Sequence, residues 1–158
     1  MLERKIKGAL QLKPIIAGLK RKGRRIVFTN GCFDLLHFGH VSYLEKAKAK
    51  GDVLVVAVNS DASVRRIKGR RRPITSQRDR ARVIAALQSV DYVTLFGQDT
   101  PLAVIKLLRP DVLVKGADWP KKDIVGAGFV ASYGGKVVAV ALEPARSTTG
   151  LIKKIAKL

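Results

Sequence analysis

Apolar residues along this chain fall into two alternating patterns. Short continuous runs occur at Ile26-Val27-Phe28, Val53-Leu54-Val55-Val56-Ala57-Val58, Tyr92-Val93-Thr94-Leu95-Phe96, Val112-Leu113-Val114 and residues 136–142, each with turn residues nearby. Runs of this length predict strands, and a run with no polar position, such as 53–58, predicts a strand buried on both faces. Between the runs, apolar positions recur at helical spacing. Helices are expected over 3–22 with a break at Pro14, over 41–50 with a stop at Gly51, and near 124–133. Ser60-Asp61 predicts a cap for a short helix through Val64. Thr75 or Ser76 predicts a cap for a helix to about Gln88, with Val83, Ile84 and Leu87 facing inward. Thr100-Pro101 opens another helix to about Leu108, and Ser147-Thr148-Thr149-Gly150 precedes a terminal one.

Strands alternating with helices predict an α/β architecture, a parallel sheet of five strands with helices on both faces. Such sheets bind ligands outside the carboxyl ends of their strands. The chain's polar groups gather there: Thr29-Asn30 ends the first strand, Asn59-Ser60 the second and Lys115 to Asp118 the fourth, with Ser147-Thr148 beyond the fifth. A single domain is expected over 1–158, with 1–23 as an N-terminal helical extension.

Composition narrows the partners. Of 158 residues 47% are apolar and 27% charged, ordinary for a globular protein with one proper core. Thirty-one Lys+Arg against 12 Asp+Glu give a net charge of +19. That field attracts nucleic acid, an anionic membrane surface or a small polyphosphate. The charge is spread over several segments without zinc-finger spacing or an RNP-like aromatic motif, which disfavours nucleic acid. No apolar run is long enough to span a bilayer, and the start lacks the apolar stretch of a signal peptide. The one cysteine forms no internal disulfide and fits a reducing compartment, so the cytoplasm is the expected location.

The most informative stretch is Thr29-Asn30-Gly31-Cys32-Phe33-Asp34-Leu35-Leu36-His37-Phe38-Gly39-His40. It reads as strand, turn and helix start. Unsatisfied N–H groups and the positive end of the helix dipole favour an anion there. His37 and His40 stand three positions apart at that helix start, and Gly39 between them permits close backbone approach. Metal ligation would need more Cys, His or carboxylate groups than two histidines and one cysteine supply.

His37-Phe38-Gly39-His40 resembles the HxGH signature of the nucleotidyltransferase superfamily, and Ser147-Thr148-Thr149 resembles its second signature. Asp79-Arg80, Val90-Asp91-Tyr92-Val93 and Val114-Lys115-Gly116-Ala117-Asp118 fall between them in the family's order. Thr29 to Asp34, Asn59-Ser60-Asp61-Ala62-Ser63-Val64 and Tyr133-Gly134-Gly135 are most similar to heptose 1-phosphate adenylyltransferases of ADP-heptose synthesis.

The resemblance implies a Rossmann-like, doubly wound sheet. It also implies an enzyme joining ATP to heptose 1-phosphate, with Mg²⁺ carried by the ATP phosphates and no direct side-chain ligand. Under it, His37, His40, Lys68 and Arg80 are the catalytic candidates. Thr29, Asn30, Gly31, Cys32, Phe33, Gly39, Lys115, Gly116, Asp118, Trp119, Ser147 and Thr148 would bind the nucleotide. Asp34 and Asn59 would bind substrate, Asp34 either orienting a histidine or helping to place metal-bound phosphates. The arginines beside Lys68 are read as surface. Homodimerisation is a family expectation.

Two features depart from the family. The related cytidylyltransferases carry Arg-Thr-Glu-Gly-Ile before Ser-Thr-Thr, where this chain has Leu142-Glu143-Pro144-Ala145-Arg146; Arg146 is the candidate substitute. The kinase domain found in many bacterial heptose enzymes is not in this sequence, so a stand-alone adenylyltransferase supplied with heptose 1-phosphate by another protein is expected. The competing expectation is a cytidylyltransferase acting on glycerol 3-phosphate.

Overall fold

The computed structural model describes residues 1–144 and 146–158. Five parallel strands, β1 (Ile26–Gly31), β2 (Val53–Asn59), β3 (Tyr92–Phe96), β4 (Val112–Gly116) and β5 (Lys136–Val140), form one sheet in the order β3-β2-β1-β4-β5. The chain winds outward from β1 to β3 and then returns to the other side of β1. Its direction of winding therefore reverses between β1 and β4, where doubly wound sheets open a crevice. The pairing registers show this opening. β1 and β2 stay paired from Ile26↔Val53 to Gly31↔Val58, whereas β1 and β4 pair only at Val27↔Val112 and Phe28↔Leu113.

Period-two alternation distributes the strand side chains between two cores. Val27, Leu54, Val56 and Val58 face Leu44 and Ala47 of α2 (Phe38–Lys48) and Ala81, Ile84 and Ala85 of α4 (Gln77–Ala86). On the other face Ile26, Phe28, Val55 and Ala57 meet α1 (Ala9–Arg21), α5 (Leu102–Leu108) and α6 (Ala127–Ser132). Every residue of β2 is buried, as its unbroken apolar run predicts. Two further helices complete the chain, α3 (Asp61–Lys68) and α7 (Thr148–Ile155).

Helix boundaries depart from the pattern in instructive places. α1 runs through Pro14 rather than breaking there. Proline deprives the Leu10 carbonyl of its helical partner, but Leu10 is 77% exposed, so water takes that bond. The break falls earlier. Residues 5–7 lie along the outer edge of β3, where the Val93 N–H donates to the Lys5 carbonyl (2.9 Å) and the Lys7 N–H to that of Val93 (3.0 Å). This strap covers an otherwise open strand edge. With Leu12 and Ile16 buried in the core, residues 1–23 are built into the sheet's periphery.

α3 continues past Val64 to Lys68, because its basic residues project into solvent and complement the helix dipole at its carboxyl end. In α4, capped by Ser76, Val83 is 47% exposed instead of buried. The inward stripe is Arg80, Ala81, Ile84 and Ala85, and Val83 falls on the opposite flank.

If α1 is part of the core, Ile16→Ala should lower unfolding stability by about 2–5 kcal/mol in urea titrations. Leu10→Ala on the same helix should change it by less than about 0.5 kcal/mol.

Candidate active site

A cavity of about 670 Å³ opens across the carboxyl ends of β1, β2 and β4, flanked by the amino-terminal residues of α7. It gathers His37, His40, Lys68, Asn30, Gly31, Cys32, Phe33, Gly39, Asp34, Asn59, Lys115, Gly116, Asp118, Trp119, Ser147 and Thr148. Thr29 and Arg80 are not among its lining residues. A shallower hollow at the other end of the strands, around Arg25 and Gly51, gathers none of these residues.

The turn after β1 delivers the histidines. Phe33 adopts φ +47, and the extended backbone of His37 (φ −141) then serves as N-cap of α2, which begins at Phe38 rather than Val41. The His37 N–H donates to His40 Nδ1 at 3.4 Å. That bond leaves Nε2 of neutral His40 to carry the proton. The two rings stack with centroids 3.9 Å apart, and the Phe33 ring meets His40 edge-on at 5.4 Å. Gly39 permits this packing. A Cβ there would stand 2.9 Å from Arg146 Cβ and 3.0 Å from two atoms of the His37 ring. His37 Nδ1 is buried and has no hydrogen-bond partner among the described residues.

Both imidazoles resist protonation in the free protein. Burial, then the neighbouring His37, pushes the pKa of His40 down to about 4. Burial, then the Arg146 guanidinium, lowers that of His37. Near pH 7 they are neutral hydrogen-bond donors. A bound oxyanion would raise both values.

α7 faces them. Ser147 Oγ accepts the Gly150 N–H at 3.0 Å, an N-cap, and Thr148 Oγ1 donates to the Leu35 carbonyl at 3.2 Å. The second bond ties the α7 terminus to the turn carrying the histidines. From α2, Ser42 Oγ (2.6 Å) and Lys46 Nζ (2.8 Å) hold the Glu143 carboxylate and with it the β5–α7 connection. Arg146 lines the cavity, with its guanidinium 5.9 Å from the Phe38 ring. Ala145, within the stretch that departs from the family, lies outside the described residues.

At the other side of the gap, Lys115 Nζ reaches the Asn30 carbonyl at 3.4 Å. Burial lowers its pKa, opposed by Cys32 and Asp118. Gly116 admits Asp118 close to the backbone: a Cβ at Gly116 would lie 2.6 Å from Asp118 Oδ1. Thr29, expected at the nucleotide, is instead fully buried. It bonds to the Tyr43 hydroxyl at 2.7 Å, which also donates to the Val114 carbonyl at 3.3 Å. Its side chain points into the layer below the cavity because it alternates with Asn30 along β1.

Two further expectations change. Asp34 hydrogen-bonds neither histidine among the described residues. Its carboxylate accepts the Ile74 (2.8 Å) and Thr75 (2.9 Å) N–H groups and Arg72 Nε (2.6 Å). Burial pushes this carboxyl up, but the Thr75 and Ile74 N–H groups and the Arg72 guanidinium more than offset it, so the pKa is lowered. Arg80 does not face the cavity. It is 2% exposed and donates to the carbonyls of Thr75 (3.1 Å), Cys32 (2.5 Å) and Asn59 (2.8 Å) and to Asp61 Oδ1 (2.8 Å). It clamps the site from beneath. Asn59, itself buried, donates to Ser63 Oγ at 3.0 Å. Arg72 was missed because nothing in a run of like-charged residues distinguishes it; Asp34, thirty-eight positions away in sequence, is what draws it in. No group of three or more potential side-chain metal ligands occurs among the described residues.

The chain belongs to the cytidylyltransferase-like family, whose model matches residues 28–153. It is 55% identical over 153 residues to the bifunctional protein HldE of Geobacter sulfurreducens, covering 97% of this chain and 31% of that one. The HldE protein of Gluconobacter oxydans is 56% identical over 143 residues, 90% of this chain and 30% of that one. The chain thus spans about a third of the length of these curated relatives. Among solved structures, a lipopolysaccharide core biosynthesis protein from Thermoplasma volcanium is 31% identical with a TM-score of 0.61, covering 77% of this chain and 98% of the other. A pantoate–β-alanine ligase from Francisella tularensis shares the fold at 16% identity and TM-score 0.61, over 91% of this chain and 68% of the other. No helix is long and apolar enough to cross a membrane among the described residues.

The histidines give a pH-dependent prediction. In the free protein the Cε1–H resonance of His40 should titrate with a midpoint of about 4, well below the ordinary 6.5. As pH falls below 6.5, the unfolded chain takes up a proton that folded His40 refuses. Stability is therefore lost between about 6.5 and 4, and His40→Gln should lose less over that window in pH-dependent melts.

Proposed function

We propose that the protein transfers AMP from ATP to heptose 1-phosphate, releasing pyrophosphate and forming ADP-heptose. The observation that carries this reading is the pair of stacked, neutral histidines facing the capped terminus of α7 within one cavity. Donors converging from two helix starts suit a polyphosphate. Under the proposal, His37 and His40 contact the oxygens around the α-phosphorus. Ser147, Thr148 and the α7 N–H groups hold the rest of the triphosphate, with Arg146 beside them. The base and ribose lie against Lys115, Gly116, Asp118 and Trp119, and the cavity-lining groups Asn30, Gly31, Cys32 and Phe33 form the floor. Lys68, at the end of α3, closes the phosphate side.

A phosphate oxygen of the sugar attacks the α-phosphorus in line, and the bond to the bridging oxygen breaks with its electron pair leaving on pyrophosphate. The nucleophile is already an anion near pH 7, so no strong general base is required. Catalysis rests on positioning and on donors aimed at the charge that builds on the α-phosphate. Each neutral imidazole has one N–H to donate to that charge. Mg²⁺ carried by the ATP phosphates would offset part of their charge, with no side chain of the protein as its direct ligand.

The matches to HldE proteins support the heptose acceptor, as does the resemblance of Thr29 to Asp34 to that branch. A glycerol 3-phosphate cytidylyltransferase is disfavoured, since that family's arginine is absent in register. A nucleic-acid module explains the charge of +19 but not the strand-end motifs. Homodimerisation and a cytoplasmic location complete the proposal.

Pyrophosphate release tests it. ATP with heptose 1-phosphate should give turnover, and CTP with glycerol 3-phosphate should not; the reverse result would sink the heptose assignment. His40→Ala should reduce kcat by about a hundredfold, equivalent to about 3 kcal/mol of lost transition-state stabilisation. Near-normal turnover of a folded His40→Ala protein would remove the histidines from the mechanism.

A further inference from the structure

The last turn of α3 and the segment joining it to α4 are strongly basic: Arg65, Arg66, Lys68, Arg70, Arg71 and Arg72 lie within eight positions. Five of these six residues are exposed, Lys68 among them at the cavity rim. Arg72 is not. Its side chain is 16% exposed and lines the cavity. Its Nε donates to Asp34 Oδ2 at 2.6 Å, and Asp34 is held in turn by the Ile74 and Thr75 N–H groups.

The form of this contact matters. A guanidinium has five N–H donors, and pairing through Nε uses one of them. The four donors of Nη1 and Nη2 make no hydrogen bond among the described residues. Arg80 differs, since four of its five donors engage three carbonyls and a carboxylate, with all three nitrogens used. So does Arg66, which engages Asp99 and the Gly97 carbonyl. Arg72 is thus a mostly buried guanidinium, aimed by a carboxylate that does not occupy its fork.

We propose that Arg72 grips the phosphate of the acceptor sugar through its Nη groups, and that Asp34 is the positioning residue that aims it. This rests on the adenylyl-transfer reading above. In-line displacement puts the entering and leaving oxygens on opposite sides of the α-phosphorus. With the leaving pyrophosphate toward α7, the acceptor enters from the β2 side, where the α3–α4 segment brings Arg72. A phosphomonoester dianion matches the planar fork, which holds two oxygens and leaves a third free to attack. The attacking oxygen forms the new bond to phosphorus, and the electron pair of the broken bond leaves with pyrophosphate. No proton is moved by Arg72.

Steady-state kinetics separates this role from a structural one. Arg72→Lys keeps the charge without the fork, and Arg72→Gln removes both. Both should raise KM for the sugar 1-phosphate about tenfold to a hundredfold, the cost of a lost hydrogen bond to a charged group. KM for ATP, and KM for pyrophosphate in the reverse reaction, should stay within about twofold of wild type, a change under about 0.5 kcal/mol. Asp34→Asn should shift the same KM in the same direction. Combined with Arg72→Gln, it should add nothing further. An equal rise in KM for ATP or pyrophosphate would place Arg72 on the nucleotide and overturn the proposal, as would additive effects of the two substitutions. If Asp34→Asn fails to fold, Arg72→Lys alone decides. Failure of the adenylyl-transfer reading looks different: the wild type would release no pyrophosphate with any sugar phosphate. In that case, inorganic phosphate binding by calorimetry must be present in the wild type and lost in Arg72→Gln, or the anion site also falls.

Discussion

The buried guanidinium of Arg80 holds the working end of this molecule together. Three stretches of the chain offer it acceptors: the turn after β1 through Cys32, the end of β2 and start of α3 through Asn59 and Asp61, and the segment before α4 through Thr75. Taking a charge out of water is costly, and it is tolerated here because each guanidinium nitrogen finds an acceptor, one of them the Asp61 carboxylate. Removing it would leave three carbonyls and a carboxylate without their donor. The turn toward the histidines and the loop that carries Arg72 both hang from this one side chain.

Above that clamp, the site is made by what the sheet does not do. β1 and β4 stop pairing beyond Phe28 and Leu113, and the gap receives Lys115 from one side and the Asn30 carbonyl from the other. Two helix starts then converge on the gap from the same side of the fold. Gly39 allows the closest approach, since any Cβ would press on His37 and Arg146. The result is a concave surface rich in donors, with imidazoles kept neutral by burial. Around it, a net charge of +19 draws polyanions toward the protein in general, and the geometry of the cavity decides which of them fit.

The fold alone says little about chemistry. A ligase only 16% identical shares it, so the family assignment rests on the match over 28–153 and on the motifs that line the cavity. Those motifs are short and local. Each comprises a strand end, a helix start or both, which is why they can be read from a linear sequence.

The boundary between what was legible and what was not follows interaction range. Strand number, the parallel α/β class, the caps at Ser60, Ser76 and Ser147, and the histidine pair are local consequences of residue type and spacing, and the sequence by itself determined them. It also placed most cavity residues, because they sit at strand ends. It misplaced Thr29, whose inward or outward direction depends on the sheet's pleat and on Tyr43 beneath it. It offered Asp34 either as an orienter of a histidine or as a group placing metal-bound phosphates, took Val83 for a core residue, and left Arg72 on the surface. Those outcomes are long-range. Arg72 is buried by a carboxylate thirty-eight positions away, and Arg80 is buried by carbonyls twenty-one or more positions upstream at Cys32 and Asn59 as well as by its nearer partners. Charge patterning along a chain cannot reveal which arginine of six meets a buried acceptor. Only the tertiary structure decided that, because the energy of burying a charge depends on what surrounds it in space and not on what precedes it in sequence.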